Sequence, residues 1–274
     1  MIKSASIRNI FLAPFALWAV LFVAVPFFVI AWYGLTNDDG VFSLSSLAMI
    51  TRPEYFKALL FSLLLALVST ATCILIAYPL CLILLEKTGN VRNLLATLCV
   101  VPLLMQSLLL TMAVQTILEK NGVLNQFLRV LGLPDVYILN TPIAIILGMV
   151  INFLPYAILP IFIALSKIDQ HVIEAARDLG ASSWQTFRHI QLPLSLPGAV
   201  SAITLVFIPS LTTFFISAIL GGNKILLIGN IIEQAFTSAY DFHIGSALSI
   251  VLMIFVVANM FLTMKFDTTD GEAN

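Results

Sequence analysis

The sequence predicts an all-α polytopic membrane protein with six transmembrane helices, and two observations carry that expectation. Of its 274 residues, 60% are hydrophobic and 10% charged, far under the roughly 25% charged of an average soluble domain. The charged residues also leave long uncharged intervals: Arg8 to Asp38, Lys57 to Glu86, Arg92 to Glu119, Asp135 to Lys167, Arg188 to Lys224 and Asp241 to Lys265. Each exceeds the roughly 20 apolar residues that cross a bilayer as a helix. The alternation at about ten-residue spacing that marks a membrane β-barrel is absent.

Taken in order, the spans fall near residues 10–33, 58–85, 93–117, 139–165, 194–220 and 244–264. The first run is longer than the 7 to 15 residues of a signal-peptide core and no small-x-small cleavage site closes it, so it reads as a retained span. Six crossings leave both termini on one side. Lys3, Arg8, Lys87, Arg92, Lys167, Arg177, Arg188 and Lys265 share that side, against Arg52, Lys57, Lys120, Arg129 and Lys224 opposite. The positive-inside rule places the first set, and both termini, in the cytoplasm.

The connections have their own signatures. Spans 1 and 2 are joined by an outer loop whose Asn, Asp, Gly and Pro favour turns. The short "EKTGNVR" makes spans 2 and 3 adjacent and antiparallel. In "EKNGVLNQFLRVLGLPD", Val123, Phe127 and Val130 recur at i, i+4, i+7 before Gly132 and Pro134, which predicts a short amphipathic outer helix. The stretch "GGNKILLIGNIIEQAFTSAYDFH" is too apolar for an ordinary loop and too interrupted for a span; it can turn back among the helices if protein or water satisfies its backbone. With no linker or second soluble segment, residues 1–274 read as a single integral membrane domain, and "DTTDGEAN" as a solvated tail.

Several chemistries have no support. Cys73, Cys81 and Cys99 lie within spans 2 and 3 without C-x-x-C spacing, as small packing residues do. His171, His189 and His243 have no spacing that assembles a metal site or a triad, so no metal and no catalytic residue is expected. Without metal, nucleophile or intramembrane acid-base constellations an enzyme is disfavoured. A self-sufficient channel remains the rival from another class. No carboxylate or lysine sits within the spans to couple transport to an ion gradient. No G-x-x-x-x-G-K-[S/T] loop is present, so any ATP, with its Mg, belongs on another chain and no cofactor is expected on this one.

Between spans 4 and 5 the cytoplasmic stretch "KIDQHVIEAARDLGASSWQTFRHIQLP" carries a start and a stop signal. Asp169 suits an N-cap and Gly180 a left-handed C-terminal turn, with about ten helical residues between. Val172, Ala176 and Leu179 share one face, while Glu174, Arg177 and Asp178 gather on another. Ser182 or Ser183 can cap a second short helix, "WQTFRHI", and Pro193 and Pro197 are expected to break the chain before span 5. Such a helix suits a groove on a soluble partner or serves as a plain connector.

Glu-Ala-Ala, three residues, Gly, nine residues, Ile-x-Leu-Pro stands here as Glu174, Ala175, Ala176, Gly180, Ile190, Leu192 and Pro193. The pattern resembles the signature of membrane subunits of type I ABC importers. The blocks "AYPLCLILLEK", "VPLLMQS", "NGVLNQFL", "EAARDLGAS" and "LLIGNIIEQAF" resemble the B-type permease subunits of spermidine/putrescine importers. This chain has Leu110 where the polyamine relatives carry a basic residue, and Ala218 where they carry an acidic one.

The resemblance implies a bacterial plasma-membrane permease whose short helix is a coupling helix. Glu174 would pair with an ATPase and Gly180 permit the turn. Implied partners are a second homologous permease subunit, two ATP-binding subunits and an extracytoplasmic substrate-binding protein, within membrane lipid and without nucleic acid. The rival substrates on the same scaffold are another organic cation, iron or an oxyanion.

Residues that can line a path are fewer. Ser107, Thr111 and Gln115 in span 3, and Ser210, Thr213 and Ser217 in span 5, form polar stripes that either bond neighbouring helices or line a water-filled route. Asn152, Pro155 and Tyr156 in span 4 and Pro209 in span 5 are gate candidates, because proline frees a carbonyl and bends a helix. Gly198 and Ala202 give a small-xxx-small contact. A polycation would favour carboxylates at the outer mouth, for which Glu119, Asp135, Glu233 and Asp241 are candidates, and aromatic faces such as Tyr156, Phe214 and Phe215 within.

Overall fold

A computed structural model describes residues 14–37, 40–87, 97, 99 and 101–267. The predicted turn "EKTGNVR" beyond Lys87, most of the first half of span 3 and the C-terminal tail lie outside the described residues.

Four helices among the described residues are long and apolar enough to cross a membrane alone: α1 (Pro14–Leu35), α2 (Pro53–Glu86), α5 (Pro142–Ser166) and, over Phe242–Phe261, α11 (Phe242–Asp267). Apolar composition, with no water to compete for backbone groups, makes the helix the only satisfied conformation for such runs. Thr141 fixes the start of α5 by accepting from the Ala144 amide at 3.4 Å, with Pro142 in the first turn where no N–H is needed. That helix continues unbroken through Pro155 and Pro160.

The other two spans are interrupted. Span 3 is described from a 3-10 turn at Val101–Leu104, which contains Pro102, followed after extended Gln106 by α3 (Ser107–Leu118). Span 5 is divided into α8 (Leu196–Thr212) and α9 (Phe215–Leu220) by extended Thr213. Pro209, lacking an N–H, weakens the ladder one turn before the break, and its carbonyl accepts the last α8-type bond, from the Thr213 amide at 3.0 Å.

Between the spans lie α4 (Val123–Val130), α6 (Gln170–Asp178), α7 (Ser183–Leu194) and α10 (Ile228–Thr237). Val123, Phe127 and Val130 line one exposed face of α4, as their spacing predicts. A 68° bend separates α7 from α8. The break falls at Ser195, between Pro193 and Pro197 as expected, with Pro193 itself inside α7. A π turn at Phe187–Gln191 widens the helix just before Pro193 and absorbs its ring and missing N–H, so the chain turns only at Ser195.

The described residues pack as two compact units, those within 1–57 and 231–255 and those within 58–230 and 256–274. In the second unit α2 lies on α5 through Cys73 and Cys81, whose thiols approach the Val150 and Ile158 carbonyls at 3.9 and 3.5 Å. Gly198 lets α8 close on α5; a Cβ there would stand 2.5 Å from the Ala164 Cβ and 2.6 Å from the Pro160 carbonyl oxygen. Small residues, rather than a hydrophobic drive, permit this approach between membrane helices. In the first unit α1 meets α11 at Gly34, where a Cβ would fall 2.4 Å from Ile250.

Candidate functional site: a capped helix pair and a braced break

The segment between spans 4 and 5 is built by local rules. The Asp169 carboxylate accepts from the His171 amide at 3.0 Å and starts α6. Gly180, at φ 84°, ends it: its amide donates to Arg177 at 2.9 Å and the Ala181 amide to Ala176 at 3.0 Å. These are the two bonds of a glycine-terminated helix end. Ser182, not Ser183, caps α7, reciprocally with Gln185, whose side-chain oxygen accepts from the Ser182 amide at 2.8 Å.

The predicted apolar face of α6 is turned outward. Ile173 is the buried anchor, while Val172 and Leu179 are 45% and 89% exposed. Glu174 and Ala175 are exposed and Ala176 half-buried beside them. Glu174 lies 3.7 Å from the His171 ring, and both side chains are exposed, so the pair holds little energy. Ile190 and Leu192 are half-buried in α7 and Pro193 is exposed. The Tyr78 and Ser195 hydroxyls, 3.1 Å apart, tie the bend between α7 and α8 to α2. Motion of α6 and α7 therefore has a polar and covalent route into the spans.

Within the spans the structure brings some polar candidates together. Asn152 donates to the Thr111 hydroxyl at 3.1 Å and to the Gly148 carbonyl at 2.8 Å, joining α3 to α5. Thr111 donates to the Ser107 carbonyl at 2.8 Å. Ser107 and Gln115 are half-buried. The Asn152 carbonyl oxygen and the Ser210 and Thr213 hydroxyls are buried with no hydrogen-bond partner among the described residues. Pro155 is buried and Pro209 half-buried, while Tyr156 and Phe214 are 37% and 44% exposed.

Asn230, absent from the residues picked out by sequence, braces the break in span 5. It donates to the Phe214 carbonyl at 2.8 Å and accepts from the Leu227 amide at 3.1 Å and from the Ser217 hydroxyl. The Ile228 amide donates to Ser62 of α2 at 2.8 Å. So "LLIGN" does turn back among the helices, and side chains satisfy its backbone. Gly229 allows the approach, since a Cβ there would be 2.9 Å from the Thr212 and Thr213 carbonyl oxygens. A buried Asn flanked by apolar residues was the available signal.

Of the outer-mouth candidates, Glu119 is exposed and Asp135 is engaged. Arg129 donates to both carboxylate oxygens of Asp135, at 2.8 and 2.7 Å. That hydrogen bonding holds the Asp135 carboxyl below its ordinary value and the Arg129 guanidinium above its own. Glu233 lies on α10 and accepts from the Thr237 hydroxyl at 3.1 Å. Asp241 accepts from the Ile244 amide at 3.0 Å and caps α11.

Residues 86–264, which contain the whole α6 and α7 segment, match the family described as the inner membrane component of binding-protein-dependent transport systems. The chain belongs to that family. Among its relatives, this transport component is 40% identical over 245 residues, 86% of this chain and 89% of the other, to the spermidine/putrescine transport system permease protein PotB of Escherichia coli (strain K12). It is 38% identical over 262 residues, 93% and 91% of the two chains, to the PotB of Salmonella typhimurium (strain SL1344). In structure the component resembles a bacterial ABC transporter involved in alginate import, with a TM-score of 0.80, 19% identity and coverage of 96% and 97% of the two chains. That likeness concerns the fold. It agrees with the predicted type I ABC importer permease architecture.

Proposed function

We propose that this chain is the membrane-spanning permease subunit of an ATP-driven polyamine importer and forms half of its translocation pathway. The observation that carries the proposal is α6: a capped, glycine-terminated helix that presents Val172 and Leu179 to a partner and leads through a bent junction into span 5. The PotB relatives, similar over most of their length, support spermidine and putrescine as substrates. The working complex contains a second homologous permease subunit, two ATP-binding subunits that hold ATP and Mg, and an extracytoplasmic binding protein. Both termini lie in the cytoplasm.

In this reading a loaded binding protein docks outside while ATP draws the two ATPases together. The α6 helices, seated in ATPase clefts through Val172 and Leu179, follow that closure. Glu174 at the edge of the same helix supplies a charged contact. Movement passes through the Ser195 bend into α8, and the braced break at Thr213 and Phe214 changes the width of the route. Thr111, Asn152, Ser210 and Thr213 offer polar contacts along it. Hydrolysis resets the pathway inward.

Replacing Val172 and Leu179 together by Asp tests the proposal in the assembled, reconstituted complex. Uptake of radiolabelled spermidine should fall at least tenfold, with this chain still inserted at its normal level. Undiminished uptake would overturn the coupling role. Import of a different solute, with neither spermidine nor putrescine carried, would overturn the substrate.

A further inference from the structure

At the junction of α10 and α11, Tyr33, Ala239, Tyr240, Asp241, Phe242 and His243 line an open cavity of about 420 Å³, within the size range of small-molecule sites. Tyr33, Tyr240 and Phe242 contribute rings to a lining that is otherwise largely polar. The Tyr33 and Phe242 ring centroids are 5.7 Å apart, and the His243 ring meets Tyr33 edge-on at 5.3 Å. His243 Nδ1 lies 2.7 Å from the Tyr33 carbonyl oxygen, which fixes that wall. Tyr240 is 72% exposed and adopts φ 52°, a conformation bulky residues rarely take. Beside the rings stands Asp241, whose Oδ1 accepts from the Ile244 amide. An electron-rich aromatic wall beside a carboxylate attracts a cation and discriminates against an anion.

We propose that this cavity receives one ammonium end of a linear polyamine on the outer side, before the chain enters the route between the spans. The proposal rests on the polyamine-import reading and on the outward placement of Asp241. The Asp241 carboxylate supplies the charge, and the faces of Tyr33, Phe242 and Tyr240 hold the ammonium and its adjoining methylenes. A cation within about 6 Å of a ring centroid is attracted by its face, and the ring spacing allows one guest to meet two rings. Asp241 also caps α11, and its negative charge offsets the positive end of that helix, which would otherwise repel the guest.

The two duties of Asp241 separate experimentally, because Asn caps a helix about as well as Asp but carries no charge. In proteoliposomes holding the complete importer, Asp241→Asn should lower the initial rate of spermidine uptake at subsaturating substrate about tenfold, the size expected for loss of one close charge contact. Asp241→Glu should recover most of it. Tyr240→Gly relieves the positive φ and deletes a ring, so it should assemble at least as well as the parent while its uptake falls severalfold. ATP hydrolysis stimulated by the loaded binding protein should persist in all three. Uptake by Asp241→Asn and Tyr240→Gly within twofold of the parent overturns the cage and leaves polyamine import standing. A parent complex that imports no polyamine overturns the import reading itself.

Discussion

Replacement of Gly180 gives a graded test of the proposed coupling role of α6. A Cβ at Gly180 would meet no atom of the described residues within 4 Å, so the penalty of substitution is the backbone conformation at φ 84°. For an L-residue with a Cβ that penalty is about 1–2 kcal/mol, or roughly a five- to thirtyfold loss of the turned conformer. Asn visits the left-handed region more readily than Ala, so Gly180→Asn should retain more function than Gly180→Ala, and a β-branched Val should retain least. The assay is ATP-driven spermidine uptake by the reconstituted complex, with ATP hydrolysis followed in parallel. The expected order is Gly, Asn, Ala, Val, with uptake lost before assembly. If Gly180→Ala lowers thermal stability but leaves uptake unchanged, the turn serves folding alone and the coupling argument is refuted.

Three further outcomes follow from particular contacts. Asn230→Ala strands the Phe214 carbonyl and the Leu227 amide and frees Ser217, which should destabilise the folded chain by about 3 kcal/mol, seen as a lower detergent melting temperature. Gly198→Leu forces a side chain against Pro160 and Ala164 and should cost about 1–3 kcal/mol, read in the same melt. The Asp135 carboxyl is held below its ordinary 3.8 by Arg129, so its stabilisation is complete above pH 3.8 and is lost as pH falls below that value through the lowered one. An acid-active protease should therefore begin to cut between residues 119 and 141 at lower pH in the parent than in Arg129→Gln.

What the sequence made legible follows from where local chemistry decides. Asp169, Gly180 and the spacing of Val172, Ala176 and Leu179 announce α6, because caps and a left-handed glycine act within one turn. The long spans were legible because apolar length alone forces a helix in lipid. The direction of the α6 face was legible as a pattern but not as a contact: Ile173 buries, leaving Val172 and Leu179 outward. The division of span 5 was hidden, because Thr213 and Phe214 sit in an apolar run and Pro209 precedes the break by a full turn. Its stability depends on Asn230, 16 residues after Phe214, and on its neighbour Gly229, whose partners only the tertiary fold supplies. The break before span 5 was legible from Pro193 and Pro197, but its placement at Ser195 was not, because the π turn that tolerates Pro193 leaves no mark in composition.

The most direct test of the central claim is accumulation of radiolabelled spermidine and putrescine by proteoliposomes. These should contain this chain, its homologous permease partner, the two ATPases and the loaded binding protein. Accumulation against a gradient that requires ATP, and that disappears when this chain is present alone, is the predicted result. Flux through this chain by itself, or ATP-driven accumulation of another solute with neither polyamine carried, would contradict the account.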